Sequence, residues 1–544
     1  MSARARQGDR GAWARVSVLA FGLAACGAGE APLRDAGLVP ADAAADASAP
    51  DAAARPPDAA EVCGLNPPVW QRLSVPEIVD SLALAFPHKA LRAEDRQRFI
   101  DKFLLDPAGQ GGFSNNGPGR KVQGDFAEHL FEVGEWFTAD PPFCGAVPAE
   151  TCVADVVERV GQLLFRRPLE AEERDSFAVF WRDSVGEAGA QEALSSTLLA
   201  LVMSPEFVYR GQQSQADLAW LERMSFGLEG RGPSEAALTE VLQAGAGARA
   251  RDLIESALSG PVGRQHLLAA FSEWLRVEDV LSVAKTEPFA EELRRDLVEE
   301  TRRFVAFHLL EARRPISALL TETRTFLNAR LRAHYGLDGA TNAPAEEAAF
   351  SLSVRPQGAG LWAQGALLAS LGLPNGTSPT RRGAMIRTRW MCDELPPALP
   401  GVMPPAANAA DGLTTRARYE TVHAADPSCA DCHRFVDPLG FALEGFDGLG
   451  RPRSHENGLP LDLSGQVWSL DDDSVERSFD GPQELFTWLA NDERWAHCAA
   501  WHLLAYLVPD HPEEGACLLP GLAERLHAGT PLLDALVETF ALQR

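Results

Sequence analysis

The stretch PFAEELRRDLVEETRRFVAFHLLEARRP, residues 288–315, decides the fold class. Phe289, Leu293, Leu297, Phe304 and His308 fall near one stripe at helical spacing, while Arg and Glu crowd the other face. Such a helix must lay its stripe on other elements. His308, on the stripe, reads as a core histidine rather than a metal ligand. The same period recurs along the chain. CVADVVERVGQLLFRRPL (152–169) is apolar at helical spacing and stops at Pro168. EAEERDSFAVFWRDSV (170–185) and AQEALSSTLLALVMSPEF (190–207) follow, the second broken at Ser204-Pro205. ARARDLIESALSGP (248–261) ends in Gly-Pro, and RQHLLAAFSEWLRVEDVL (264–281) is again amphipathic. Further helix is predicted in LWAQGALLASLG (361–372), ERWAHCAAWHLLAYLV (493–508) and TPLLDALVETFAL (530–542). Residues 336–360 read as loop and LPPALPGVMPPAANAADG (395–412) as an extended Pro-rich segment. A short strand pair is expected around LDLSGQVWSL (461–470). The expected fold is mainly α, helical modules in series with minor short β.

A chain of 544 residues is too long for one core. Its net charge of -26 repels phosphate backbones, so no nucleic acid partner is expected. No P-loop, dinucleotide fingerprint, H-E-x-x-H or G-x-S-x-G is present. The DDD at 471–473 lacks the Gly and terminal Glu of a calcium loop and reads as a solvated acidic turn.

Residues 1–25 read as a signal peptide of the lipoprotein type. Arg4, Arg6, Arg10 and Arg15 form a basic region ahead of VSVLAFGLAA, an apolar run far short of the roughly 20 residues that span a bilayer. The run ends in Leu23-Ala24-Ala25-Cys26, similar to the bacterial lipobox, in which the cysteine takes lipid. Residues 26–62 are rich in Ala, Asp and Pro with no aromatic, a disordered tether that cannot offset its ordering entropy. As a flexible coil it would span on the order of 30 Å. The expected location is the cell envelope, lipid-anchored on the periplasmic or cell-surface face, with the membrane met through the N-terminal lipid. Beyond the tether, the expected divisions are 63–143, 144–210, 211–340, 341–455 and 456–544.

Nine cysteines are present. With Cys26 assigned to lipid and Cys429 and Cys432 set apart, six remain: Cys63, Cys144, Cys152, Cys392, Cys498 and Cys517. An even remainder in an exported chain suggests disulfides. Local pairs close the smallest loops, which favours Cys144 with Cys152 and Cys498 with Cys517, leaving Cys63 and Cys392 by elimination.

Cys429, Cys432 and His433 form C-x-x-C-H. Covalent haem attachment needs two thiols one turn apart to meet two vinyl groups, and an imidazole directly after the second to reach the iron. The expected cofactor is therefore covalent haem c, with His433 on the iron. A zinc site, a redox dithiol and a plain structural disulfide stay open as alternatives. The sixth ligand is not fixed by spacing. Met385, Met391 and Met403 all precede the motif, and His423, His455, His497 and His502 lie around it. A Met would raise the potential, a second His would lower it, and an open position would permit ligand chemistry.

The pieces TSPTRRG (377–383), CDELPPALPGV (392–402), TRARYETVHAADPSCADCH (415–433) and DPLGFALEGFDGLGRPR (437–453) resemble the planctomycete-type cytochrome c proteins, large secreted proteins built from several domains of unknown function. Weaker matches are FRRPLEAEE, MSPEFVYR, FLNARLRAHYGL and a piece around Cys498, so the resemblance spans roughly residues 65–540. It implies an exported haem protein with a cytochrome c-like module in 341–455. It also promotes His423, which matches the family pattern, as the sixth ligand. Glu444 and Asp447 in the last piece are expected to serve as turn and capping residues rather than as acids of a haem pocket.

The expected function is an electron carrier or redox subunit with a redox protein partner. A haem enzyme, peroxidase-like or a dehydrogenase subunit, and a non-redox surface scaffold whose C-x-x-C-H is a disulfide are the alternatives; whether any catalysis occurs is not legible. Replacing Cys26 with Ala should move the protein from the membrane to the soluble fraction, because one lipidated residue carries the anchor. A variant that still sediments wholly with membranes would refute the anchor.

Overall fold

The computed structural model describes residues 70–541 apart from 104–105, 107–108, 110–111, 116–123, 146, 212, 338–348, 396–411, 424–426 and 509–511. Helices dominate, and the described strands form only two-stranded antiparallel ribbons. The expected signal peptide and tether, Cys26, Cys63 and Met403 lie outside the described residues, as does nearly all of the Pro-rich segment. No helix among the described residues is long and apolar enough to cross a membrane.

Two hydrophobic cores organise the described residues. The first gathers the helices Val75–Ala85, Gly124–Thr138, Glu150–Phe165 and Ala190–Val202 around Ile78, Val133, Val160 and Leu198. Segments 63–143 and 144–210 thus contribute to one interior. The second takes Phe113 from 63–143 and then runs from Leu218 to Phe540, drawing on 211–340, 341–455 and 456–544 together. The helix Ala216–Glu229 joins them, because Phe226 packs in the first core and Leu221 and Leu228 in the second.

The stretch 288–315 forms helix Glu291–Val305, then a wide π turn, Ala306–Glu311. Phe289, Leu297, Phe304 and His308 are buried as the stripe requires, and His308 Nε2 lies 3.1 Å from the Arg324 carbonyl. Sequence did not show that Glu300, on the same helix, is fully buried. Its carboxylate accepts from the Tyr335 hydroxyl at 2.6 Å and the Thr325 hydroxyl at 3.1 Å, and Arg355 stands 3.4 Å away. Burial raises the Glu300 carboxyl, and the charge on Arg355 opposes it.

Two expectations change. Residues 336–360 are not all loop: Ser351–Val354 pairs with Arg324–Leu327, its side chains alternating between exposed and buried faces. The ribbon near 461–470 is Gly465–Trp468, paired with Val475–Phe479 beyond the acidic turn. The turn itself is exposed, as expected.

The disulfides correct one pairing. Cys144–Cys152 forms as loop length suggests, with Cα atoms 5.6 Å apart. Cys498 does not join Cys517; it joins Cys392, 106 residues away, with Cα atoms 5.2 Å apart. The pairing of Cys63 with Cys392 falls with it. Loop length weighs only chain entropy. Cys498 sits mid-helix in Glu493–Leu507, on a fully buried face turned toward the turn Ile386–Trp390 that leads into Cys392. Cys517 is disulfide-bonded as well.

Next to this bond, His502 stacks on Trp274 with ring centres 5.1 Å apart and meets the Trp501 and Phe113 rings edge-on. Neither of its ring nitrogens has a hydrogen-bond partner among the described residues. Burial, then the charge on Arg389, lowers its pKa to about 3. Below pH 6.5 the unfolded chain therefore takes up a proton that the folded chain refuses. Stability present above pH 6.5 is lost as the pH falls toward 3. At pH 4.5 this one group should cost about 2–3 kcal/mol. His502→Phe keeps a ring in the stack and removes the proton, so its urea midpoint should fall less between pH 7 and 4.5 than that of the parent protein. Equal falls would show that His502 does not carry this acid sensitivity.

Candidate functional site

The residues around the C-x-x-C-H are set by one close helix crossing. Ser378 caps the helix Pro379–Met385, accepting from the Arg381 N–H, and Pro379 starts it. This helix crosses Asp437–Phe441 so tightly that a Cβ on Gly383 would lie 1.8 Å from the Val436 carbonyl oxygen. A Cβ on Gly440 would lie 1.9 Å from the Pro379 carbonyl oxygen. The glycines of TSPTRRG and DPLGF are thus the two sides of one contact.

A buried guanidinium fixes the rest. Arg382 donates to the carbonyls of Leu443, Phe446 and Asp447 at 2.7–2.9 Å and pairs with Glu444 at 3.2 Å. Glu444 also accepts from Thr377 at 2.6 Å and Arg453 at 2.8 Å. Burial raises the Glu444 carboxyl, and the charges on Arg382 and Arg453 oppose it. Asp447 closes the following turn, accepting from the N–H groups of Leu449 and Arg451. Asp447 is the turn residue that the sequence suggested. Glu444 instead anchors a buried ionic network.

Within this frame, Cys429, Cys432 and His433 lie on the helix Pro427–His433. Cys429 is buried and Cys432 half-buried, and neither is in a disulfide. His433 Nδ1 stands 3.0 Å from Asp437 Oδ2 and 3.4 Å from the Thr380 hydroxyl. Thr380 donates to the other Asp437 oxygen at 2.6 Å. Tyr419 shares hydrogen bonds with Ser378 and Thr380; burial, then the charge on Asp437, pushes its hydroxyl above the usual range. With Nδ1 held, the ring is oriented and Nε2, on its far side, is left as the nitrogen that could ligate a metal. Two thiols one helical turn apart beside an oriented imidazole fit covalent haem. They fit zinc less well, because among the described residues they belong to no group of three or more Cys, His, Asp or Glu whose ligand atoms gather around one point.

The other sequence candidates are placed differently. His423 ends the π turn Tyr419–His423, and its side chain lies outside the described residues. Met385 and Met391 are buried in the second core, His502 is in the Trp274 stack, and His455 and His497 are exposed. Sequence reasoning missed the roles of Thr380, Tyr419 and Asp437. The signal available was the His-x-x-x-Asp spacing across a helix junction. It also missed Lys285 in a cleft of about 390 Å³ that reaches Thr377, Tyr419, Asp447 and Arg453. Burial and the nearby charges of Arg382, Arg294 and Arg381 lower the Lys285 pKa to about 8, and its ammonium donates to the Leu373 carbonyl.

Comparison with known families gives three matches in series. Residues 152–211 match PSD5, 216–337 match PSD4 and 358–456 match PSCyt3, each described as a protein of unknown function (DUF1595, DUF1592 and DUF1588). The chain carries domains of unknown function. All three families are cytochrome c-associated, and the PSCyt3 match encloses both the helix crossing and the C-x-x-C-H. No curated protein and no solved structure matches the chain.

Gly440→Ala should force the crossing apart and cost about 1–3 kcal/mol, read as a lower urea midpoint. Gly186→Ala, in a helix with open space at its Cβ, is the control and should leave the midpoint unchanged or raise it. Equal midpoints for the two variants would deny the crossing its role.

Proposed function

We propose that this protein is an exported, lipid-anchored c-type haem protein that acts in electron transfer or as a redox subunit. The observation that carries the proposal is the state of Cys429 and Cys432. The other described cysteines, Cys144, Cys152, Cys392, Cys498 and Cys517, are all in disulfides, whereas this closely spaced pair is not. The pair precedes a histidine held through Nδ1. Cys429 and Cys432 would hold the haem through thioethers and His433 would ligate the iron by Nε2, with His423 the candidate sixth ligand. The bound haem would supply a one-electron couple. The chain's own residues do the rest: Asp437 and Thr380 orient His433, and Arg382 with Glu444 keeps the helix crossing beneath it rigid. The lipid on Cys26 would keep the couple at an envelope membrane, within reach of a redox protein partner.

A haem enzyme is the second reading. The Lys285 cleft favours it, because it shares Tyr419 and Thr377 with the network under His433 and offers a place for a small ligand.

Protein matured in a host that attaches c-type haem should keep its haem through acid–acetone extraction and give a haemochrome spectrum. Cys429→Ala should weaken attachment, and His433→Ala should abolish the parent iron spectrum. Carbon monoxide binding to the reduced protein separates the two readings: a saturated carrier resists it and an open enzyme site takes it. A colourless protein with a Cys429–Cys432 disulfide would refute both and leave a structural scaffold.

A further inference from the structure

The carboxylate behind His433 has a consequence for redox chemistry. We infer that Asp437 is a positioning residue that holds the His433 couple at low potential, the inference resting on the haem proposal above. Three observations carry it. His433 Nδ1 faces a side-chain carboxylate, Asp437 Oδ2, at 3.0 Å rather than a neutral carbonyl. Asp437 is buried, its side chain 9% exposed, so water screens its charge from the ring only weakly. Its second oxygen is pinned by the Thr380 hydroxyl at 2.6 Å, on a helix locked in place by the Gly383–Gly440 crossing.

A carboxylate that accepts the Nδ1 proton shifts negative character onto the imidazole. Nε2 becomes the stronger donor, and a stronger donor stabilises ferric over ferrous iron. Thr380 works against this. By donating to Oδ1 it draws charge out of the carboxylate and weakens its pull on Nδ1–H. The two residues therefore act in opposite directions, which a merely structural role would not produce. The class of partner follows: a couple set low would pass electrons on to a more oxidising acceptor, or hold ferric iron for ligand chemistry in an enzyme.

The test is an optical redox titration of the haem-loaded full chain, with resonance Raman detection of the iron–histidine stretch. Asp437→Asn should move the midpoint to more positive values and lower the stretching frequency. Thr380→Val should move both the other way. Asp431→Asn, an exposed acid on the C-x-x-C-H helix, removes the same formal charge without touching His433 and should leave both close to the parent values. If Asp437→Asn loads haem and both readouts stay at parental values, the inference is overturned. If that variant does not fold, Thr380→Val decides, and an unshifted midpoint there overturns it equally. A parent protein that takes no haem under these conditions would overturn the haem proposal itself, and the role of Asp437 with it.

Discussion

The buried ion pair between Arg382 and Glu444 is the constraint on which the arrangement around the C-x-x-C-H depends. Both side chains are shut away from water, a placement that costs several kcal/mol per ion unless the remaining donors and acceptors are filled. Most are. Arg382 spends its protons on three backbone carbonyls as well as on Glu444, and Glu444 gathers Thr377 and Arg453. A hydrophobic pair of equal volume would fill the space but would not dictate the course of the chain from Leu443 to Asp447. Here the ions define a path rather than merely fill a core. It ties the helix of Arg382 and Thr380 to the segment that follows Asp437–Phe441, and beside it Asp437 meets Thr380 and orients His433.

The helical class was legible because periodicity is a local property, and the helices at 152–169, 190–207 and 493–508 follow it closely. What escaped was whatever depends on distant partners. Ser351–Val354 is a short edge whose strand character exists only through Arg324–Leu327. Glu300 looks like one more charge on a charged face until Tyr335, Thr325 and Arg355 close around it. The pairing of Cys498 with Cys392 defeats loop-length reasoning for the same cause: the direction of a helix face outweighs the entropy of a longer loop.

The candidate site shows the same division. Cys429, Cys432 and His433 are neighbours in sequence, so their spacing can be read directly. The glycines of TSPTRRG and DPLGF look like turn residues, yet both mark a backbone contact between segments some sixty residues apart. Asp437 stands four positions after His433, a spacing that helical geometry makes suggestive. Only the fold adds Thr380 to the pair and places Tyr419 beneath it.

The bond between Cys392 and Cys498 closes a covalent ring of chain, and the whole C-x-x-C-H segment lies inside it. A single backbone cut anywhere between those two residues would open the ring without parting the pieces. The segment that carries the two thiols and His433 is therefore moored at both ends. A protein so built can be nicked beside Cys429, Cys432 and His433 and still keep them attached to its body.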